Sequence, residues 1–360
     1  SYPELAGATI VLHDIDPARL SVAERLARRL AESTSMAPTI EATLELARAL
    51  DGADHVVTTI EVGGARATRL DFEIPGRYGL RYTINDTIGI GGVMRGLRVL
   101  GPMLHIATDM ERYCPDAWLL NHSNPLAMVV RAVSEVSRVR VIGLCHSVAS
   151  TLDSVAGYVG VPADEIDYTS GGVNHLAFML RLEHRGHDLY PALRDFAHGA
   201  GLPADDLVRL ELLRRLGYYS TESSEHHADY NPWFIPKAGM VERFAVPIDE
   251  YLRRVDDGLG ELAQTERDLD AGLPFEAERS GEYTAAIMAA LAGGRPFRFV
   301  ANVMNDGGLL TDLPADACVE VPATVDHDGL RPETVGALPL QCAAYVRGAV
   351  DTQALTVRAY

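Results

Sequence analysis

Four short apolar runs, each closing on a polar or glycine-rich corner and flanked by segments of helical spacing, constrain the fold of this chain more than any other feature. Ala8-Thr-Ile-Val-Leu-His-Asp14 precedes a polar, Arg- and Ala-rich stretch from Pro17 to Ser33. A helical segment from Ala42 to Leu50 leads into His55-Val-Val-Thr-Thr-Ile60, which reads as a buried strand ending near Gly63-Gly64. Ala117 to Asn121 ends in amides ahead of a helix, and the run from Val139 to Leu144 ends at Cys145 ahead of a helix from Ser147 to Val159. Strands that alternate with helices build a doubly wound parallel sheet whose ligands sit at the strand C-terminal ends. An acid closing the first strand is where a dinucleotide fold holds the adenosine ribose, which makes Asp14 a candidate; Asp14 or Asp16 serves equally well as a cap for the helix at Pro17. The glycine-rich phosphate loop that should lie roughly 20 residues earlier is absent from a sequence beginning at Ser1, so the expectation is a Rossmann-like sheet lacking its first strand.

The second half is less regular. Strands are expected over Ile166–Ser170, Leu176–Leu182, Phe297–Val303 and Cys318–Pro322, with helices over Leu207–Leu216, Ile248–Leu269, Tyr283–Ala292 and Leu338–Thr352. A chain of 360 residues, 47% hydrophobic and 23% charged, has ample core for two lobes. The formal net charge of −18 argues against a nucleic acid or an anionic membrane as partner, because either requires a basic face, and favours a small neutral substrate. Cys114, Cys145, Cys318 and Cys342 are widely separated, which fits reduced thiols in a cytoplasm. There is no signal peptide and no apolar run of membrane-spanning length.

Chemistry concentrates in a few stretches. Gly143-Leu-Cys-His-Ser147 and Gly172-Val-Asn-His175 each place a metal-ligating side chain at the end of an apolar run. Cys145 and His175 suit a borderline divalent metal with open positions left for substrate; the alternative is a small buried hydrophobe and a satisfied core histidine. Asn85-Asp-Thr-Ile-Gly-Ile-Gly-Gly-Val-Met-Arg95 is a glycine-rich loop feeding a helix, where Asp86 grips sugar hydroxyls or merely caps. Asn121 and Asn124 stand where a nicotinamide ribose or substrate hydroxyls bind, although Asn-Pro is also a plain turn. Thr221 to Phe234 packs acids, His226, His227, Asp229 and Tyr230 beside Pro-Trp-Phe, as a sugar site with acid/base chemistry requires. Arg279 and Glu282 read as an ordinary surface pair.

Taken together and in order, these motifs resemble glycoside hydrolase family 4, the NAD- and metal-dependent glycosidases related in fold to lactate and malate dehydrogenases, and most of all its α-galactosidase branch. The resemblance rests on Asp14-Ile-Asp16, Thr87 to Arg98, Asn121 to Pro125, Gly143 to Ser147, Gly172 to His175, Thr221 to His226 with Tyr230 to Phe234, and Asn305-Asp-Gly-Gly. It implies a Rossmann-like dinucleotide domain over residues 1–168 and an α+β domain over 169–360 for substrate, metal and oligomerisation. It further implies NAD held by Asp14, Asn121 and Asn124, and a divalent metal, Mn2+, on Cys145 and His175. Asp86, Asn124, Asn174 and His226 then bind substrate, Tyr230 is the base with Asp229 as rival, and His146 is the acid. Only Arg95 and Arg98 lie near the motifs to hold a phosphate, so an unphosphorylated α-galactoside is expected. The implied assembly is a homodimer or homotetramer. α-Glucosidase, uronidase and 6-phosphoglycosidase activities of the same family, a malate- or lactate-type dehydrogenase, and an inactive truncated form are the alternatives.

Overall fold

The computed structural model describes residues 2–34, 36, 38–277 and 281–360, and twelve strands in two sheets organise it. In chain order they are β1 (Thr9–His13), β2 (Thr39–Thr43), β3 (His55–Thr58), β4 (Trp118–Asn121), β5 (Arg140–Leu144), β6 (Ile166–Val173), β7 (Leu176–His184), β8 (His187–Asp188), β9 (Tyr219–Ser220), β10 (Phe297–Met304), β11 (Cys318–Asp326) and β12 (Gly329–Pro332). β1 and β2 pair in parallel as a sheet of their own. The main sheet runs β3-β4-β5-β10-β11-β6-β7-β8, with β12 added to β11 and β9 to β7. β3, β4 and β5 are parallel, and from the β5–β10 pairing onward every pairing is antiparallel. A Rossmann-like half is thus joined edge to edge to an antiparallel half.

The parallel strands are apolar on both faces, as strands covered by helices must be. Leu119 of β4 packs with Val99, Leu100 and Met103 of the helix Gly89–Tyr113 and with Val129 and Val133 of the helix Leu126–Val136. On the opposite face Leu120, Ile142 and Leu144 join Phe299, Val319 and Val321, and are covered by Ile287 of the helix Thr284–Leu291 and by Cys342 and Val346 of the helix Leu340–Ala359.

Two details depart from the sequence reading, and a third decides between alternatives it left open. The helical stretch from Ala42 to Leu50 resolves into β2 followed by the short helix Leu46–Leu50. Thr39-Ile-Glu-Ala-Thr43 pairs in parallel with β1 and buries Ile40 and Thr43, and the Thr43 hydroxyl accepts the Glu45 N–H to turn the chain. β3 stops at Thr58, and Val57 remains 45% exposed because β3 hydrogen-bonds only to β4. The cap of the helix Pro17–Glu32 is Asp16, whose carboxylate accepts from Ala18 and Arg19 N–H. The Asp14 carboxylate instead accepts the Asp16 N–H at 2.8 Å.

Candidate active site

Cys145 follows β5 directly and His175 forms the corner between β6 and β7, so the sheet itself brings two ligand-bearing ends together. A third donor arrives from a segment beyond β9: Glu222 Oε2 lies 3.6 Å from His175 Nε2 and 3.8 Å from Cys145 Sγ. Atoms bound at about 2.0–2.3 Å to one four-coordinate ion sit about 3.3–3.7 Å apart, so this trio has the spacing of a ligand set. His175 and Glu222 both adopt left-handed backbone (φ 63° and 66°), a conformation that costs energy for side chains of this size and clusters at functional sites. Thr87 fixes the imidazole. Its hydroxyl donates to Asp86 Oδ1 at 2.8 Å and is therefore the acceptor for His175 Nδ1–H at 2.7 Å, which leaves Nε2 facing Glu222 and Cys145. Burial opposes charge on His175, yet Glu222 and Cys145 outweigh it and hold the imidazole up at about 10. Burial likewise raises the Glu222 carboxyl, but His226 and His175 overcome it and bring it down to about 2. His175 Nε2–H thus points at a carboxylate, and an arriving cation takes the place of that proton. Asp86, His175 and His226 form a second cluster of compatible spacing, which shares His175 with the first.

Around this centre the polar groups are tightly interlocked. Asn124 Nδ2 donates to Asp86 Oδ2 at 3.0 Å, and Asp86 is 3% exposed. His226 stacks edge-on to His175 with ring centroids 4.7 Å apart, its Nδ1 2.7 Å from Ser223 Oγ and its Nε2 4.0 Å from Asp86. The Tyr230 hydroxyl reaches within 3.4 Å of His175 Nδ1, and burial followed by the Asp86 charge pushes its phenol well above the ordinary range. His146 stands on the exposed rim with Nδ1 3.0 Å from Glu282, and the same carboxylate lies 3.9 Å from His122. The Tyr283 hydroxyl donates to the Cys145 carbonyl and anchors the metal-side corner. Gly89, Gly91 and Gly92 open the long helix beside Asp86; a Cβ on Gly91 would lie 2.4 Å from Asn85 Nδ2, so the glycines let the loop fold tightly onto the helix start.

The family 4 glycosyl hydrolase model matches residues 1–161, and the model of the family 4 glycosyl hydrolase C-terminal domain matches residues 170–360. The chain belongs to glycosyl hydrolase family 4. This family 4 chain is 39% identical over 359 residues to an α-galactosidase of Bacillus subtilis (strain 168), an alignment covering 99% of it and 83% of the relative. It is 31% identical to an α-galactosidase of Rhizobium meliloti (strain 1021), covering 100% and 76% of the two chains. An α-glucosidase of Erwinia rhapontici is 28% identical over 91% of this chain and 78% of its own. Among solved structures, a 6-phospho-α-glucosidase from gut microorganisms in complex with NAD and Mn2+ superposes with a TM-score of 0.82 at 22% identity, covering 98% of this chain and 83% of the other. Malate dehydrogenase from Plasmodium falciparum superposes with a TM-score of 0.52 at 12% identity over 98% and 90% of the two chains, a likeness of fold alone.

Within this family 4 hydrolase the structure gathers Cys145, His175, Asp86, Asn124, His226 and Tyr230 around one centre, with His146 at its rim. Three proposed contacts are redirected. Asn121 is fully buried, its Oδ1 accepting from the Thr58 hydroxyl and the Ser123 N–H and its Nδ2 donating to the Ser123 carbonyl, so it shapes the corner after β4 and presents nothing to a ligand. Asn174 turns inward, with Nδ2 donating to Glu320 Oε2 at 3.3 Å and no exposed surface. Asp229 accepts three backbone N–H groups, from Thr83, Ile84 and Asn85 at 2.7–2.9 Å, and is an anchor for the Asp86 loop, not a base with a free lone pair aimed at substrate. Asp14 directly follows β1 in the separate small sheet. Arg279 lies outside the described residues, while Glu282 pairs with His146 at the site's rim. Glu222, Thr87 and Glu320 were missed as site residues. Glu222 lies inside a stretch whose crowding of titratable groups was the available signal; Glu320 follows no motif.

Proposed function

We propose that this hydrolase cleaves unphosphorylated α-galactosides with the help of NAD and a divalent metal, Mn2+. One observation carries the substrate class: among the described residues, Arg95 and Arg98, the arginines beside the glycine-rich loop, are already spent. Arg95 is buried, donating to Glu61 at 2.7 Å and to the Tyr251 hydroxyl at 3.0 Å, and Arg98 is clasped by both oxygens of Asp71. Neither offers a free cation to a sugar phosphate. The two α-galactosidases among the relatives point the same way.

The donor set supports the metal, since a thiol, an imidazole with its tautomer fixed by Thr87 and a carboxylate converge on one space. When bound, the metal supplies Lewis acidity at the sugar hydroxyls and NAD a hydride acceptor, the oxidation–elimination–addition–reduction chemistry that sets family 4 apart from two-carboxylate glycosidases. Asp86 and Asn124, locked together, present oxygen and amide groups to sugar hydroxyls. Tyr230, whose hydroxyl lies 3.4 Å from His175 Nδ1, is the base that takes the proton from C2, and burial together with the Asp86 charge holds its phenol pKa above the ordinary range. His146, exposed and oriented by Glu282, is placed to give a proton to the leaving oxygen. Residues 1–168 serve as the dinucleotide domain and 169–360 as the substrate and metal domain of a homo-oligomer.

p-Nitrophenyl α-galactoside assayed with NAD+, Mn2+ and thiol, each omitted in turn, tests this reading. Turnover should require all three, and galactose formed in D2O should carry deuterium at C2. A clear preference for a 6-phosphoglycoside, or turnover without NAD+ giving product that keeps its C2 hydrogen, overturns it.

A further inference from the structure

Glu320 is an unexplained carboxyl in the middle of the sheet, where burial raises its pKa to about 7. It sits on β11 with 1% exposure, between β10, where it faces Asn302, and β6, where it faces Gly172. Its Oε2 accepts from Asn302 Nδ2 at 3.1 Å and from Asn174 Nδ2 at 3.3 Å. Asn302 in turn is laddered against Gly143 of β5, two residues before Cys145, and Asn174 is the residue immediately before His175. One carboxylate oxygen therefore ties the strand leading to Cys145 to the corner carrying His175.

Stability does not account for it. A carboxylate in a sheet core is expensive to bury, and two neutral amides compensate it poorly; an apolar side chain of the same volume would pack at least as well. Among the described residues, Glu320 Oε1, Asn174 Oδ1 and Asn302 Oδ1 are, moreover, all buried with no hydrogen-bond partner. The backbone makes room for Asn302 at Gly143, while Gly172 is kept bare by its own hairpin. A Cβ on Gly143 would stand 2.9 Å from Asn302 Cβ, and one on Gly172 would stand 2.4 Å from the Leu176 carbonyl oxygen.

Resting on the reading of Cys145 and His175 as metal ligands, we infer that Glu320 is a positioning residue that sets the separation of these two ligands through Asn302 and Asn174. It touches neither metal nor substrate. Its function is to hold the left-handed His175 corner at a fixed distance from the Cys145 corner, so that the donors meet one ion without rearrangement. Outer partners that orient metal ligands characteristically contribute about 10–100-fold to metal affinity.

The inference turns on the hydrogen-bonding shape of residue 320, and two substitutions separate shape from charge. E320Q keeps an oxygen for the two amides and places N–H donors beside the oxygens that lack them. E320L removes the tie at similar volume. Mn2+ binding to the purified protein, followed by isothermal titration and by the electron paramagnetic resonance of free Mn2+, is measured for wild type, E320Q, E320L and C145S, alongside circular dichroism and thermal melting. E320L should fold and bind Mn2+ about 10–100-fold more weakly, while E320Q keeps wild-type affinity. A folded E320L with wild-type affinity overturns the inference, as does an E320Q that weakens binding as much as E320L. If E320L does not fold, Asn302→Ala removes one donor alone, and wild-type affinity in that variant overturns the inference equally. Mn2+ binding by wild type that C145S leaves untouched would instead refute the metal reading, a result distinct from any of these.

Discussion

Thr87 illustrates how much of the chemistry is decided by one hydroxyl. By donating to Asp86 and accepting from His175 Nδ1 it selects the imidazole nitrogen that faces Cys145 and Glu222. The thiol is the ligand hardest to replace, because a serine hydroxyl binds a borderline metal far more weakly than a thiolate. C145S is accordingly expected to keep its fold and lose its bound Mn2+, measured as metal content after gel filtration. Serine at Cys114, Cys318 or Cys342 should keep the metal but lower stability by about 1–3 kcal/mol, since each of these thiols is buried among apolar side chains where a hydroxyl finds no partner. His227 is a different kind of residue. Its Nε2 meets the Thr221 carbonyl at 2.7 Å and its Nδ1 the Tyr345 hydroxyl at 3.0 Å, and burial drives its pKa from 6.5 down to about 3. The folded chain keeps this imidazole neutral, whereas the unfolded chain protonates it below pH 6.5, so its contribution is intact above that pH and is lost as pH falls towards 3. Urea midpoints at pH 7 and pH 5 should show wild type losing about 2 kcal/mol more than H227Q over that interval; equal losses would refute the assignment. Cys145 and His175 were legible because each terminates an apolar run at a conspicuous polar corner. Glu222 and Glu320 were not, since a single acid carries no periodicity and its partners come from strands far apart in sequence.

At the level of elements, the site depends on how β5, β10, β11 and β6 lie side by side. The strand–helix alternation up to the helix Ser147–Val159 was readable from spacing, and so were the strands of the second half. What spacing cannot give is adjacency: that β10, more than 150 residues after β5 in sequence, inserts antiparallel beside it follows from which faces bury together. The missed β2 has the same origin, for Thr39 to Thr43 is too short to separate a strand from the start of a helix until β1 is beside it. Two glycines in this array differ in what surrounds them, and that difference can be measured. A Cβ on Gly143 would first meet Leu126 Cδ2 at 2.3 Å, the movable end of a side chain, whereas one on Gly172 would meet the Leu176 carbonyl and the Ala177 Cα of its own hairpin partner at 2.4 and 2.5 Å, in left-handed backbone with φ 156°. Gly143→Ala should cost about 1–3 kcal/mol as an ordinary overpacking, and Gly172→Ala more, read as the shift in guanidinium midpoint. The reverse order would mean that the β6–β7 hairpin gives more readily than its geometry implies.

For the molecule as a whole, charge and topology act in opposite directions. The 50 acidic against 32 basic residues give a net charge that opposes non-specific association and suits a neutral glycoside. The Rossmann-like half was foreseeable as far as its alternation, because each of its units carries its own local signal. The antiparallel half, the anchoring role of Asp229 and the inward turn of Asn174 were not, because they arise only once distant segments share a core. Among the described residues β1 bonds to β2 alone and β3 to β4 alone, and Ile10 and Val57, each 45% exposed, lie on those strands. Two strand margins with unsatisfied backbone groups and apolar side chains are adhesive to any extended chain. Net charge opposes contact between such margins over a Debye length that shrinks to about 3 Å at 1 M salt. Non-specific association through these two margins is therefore expected to rise with ionic strength, whatever specific assembly the chain forms.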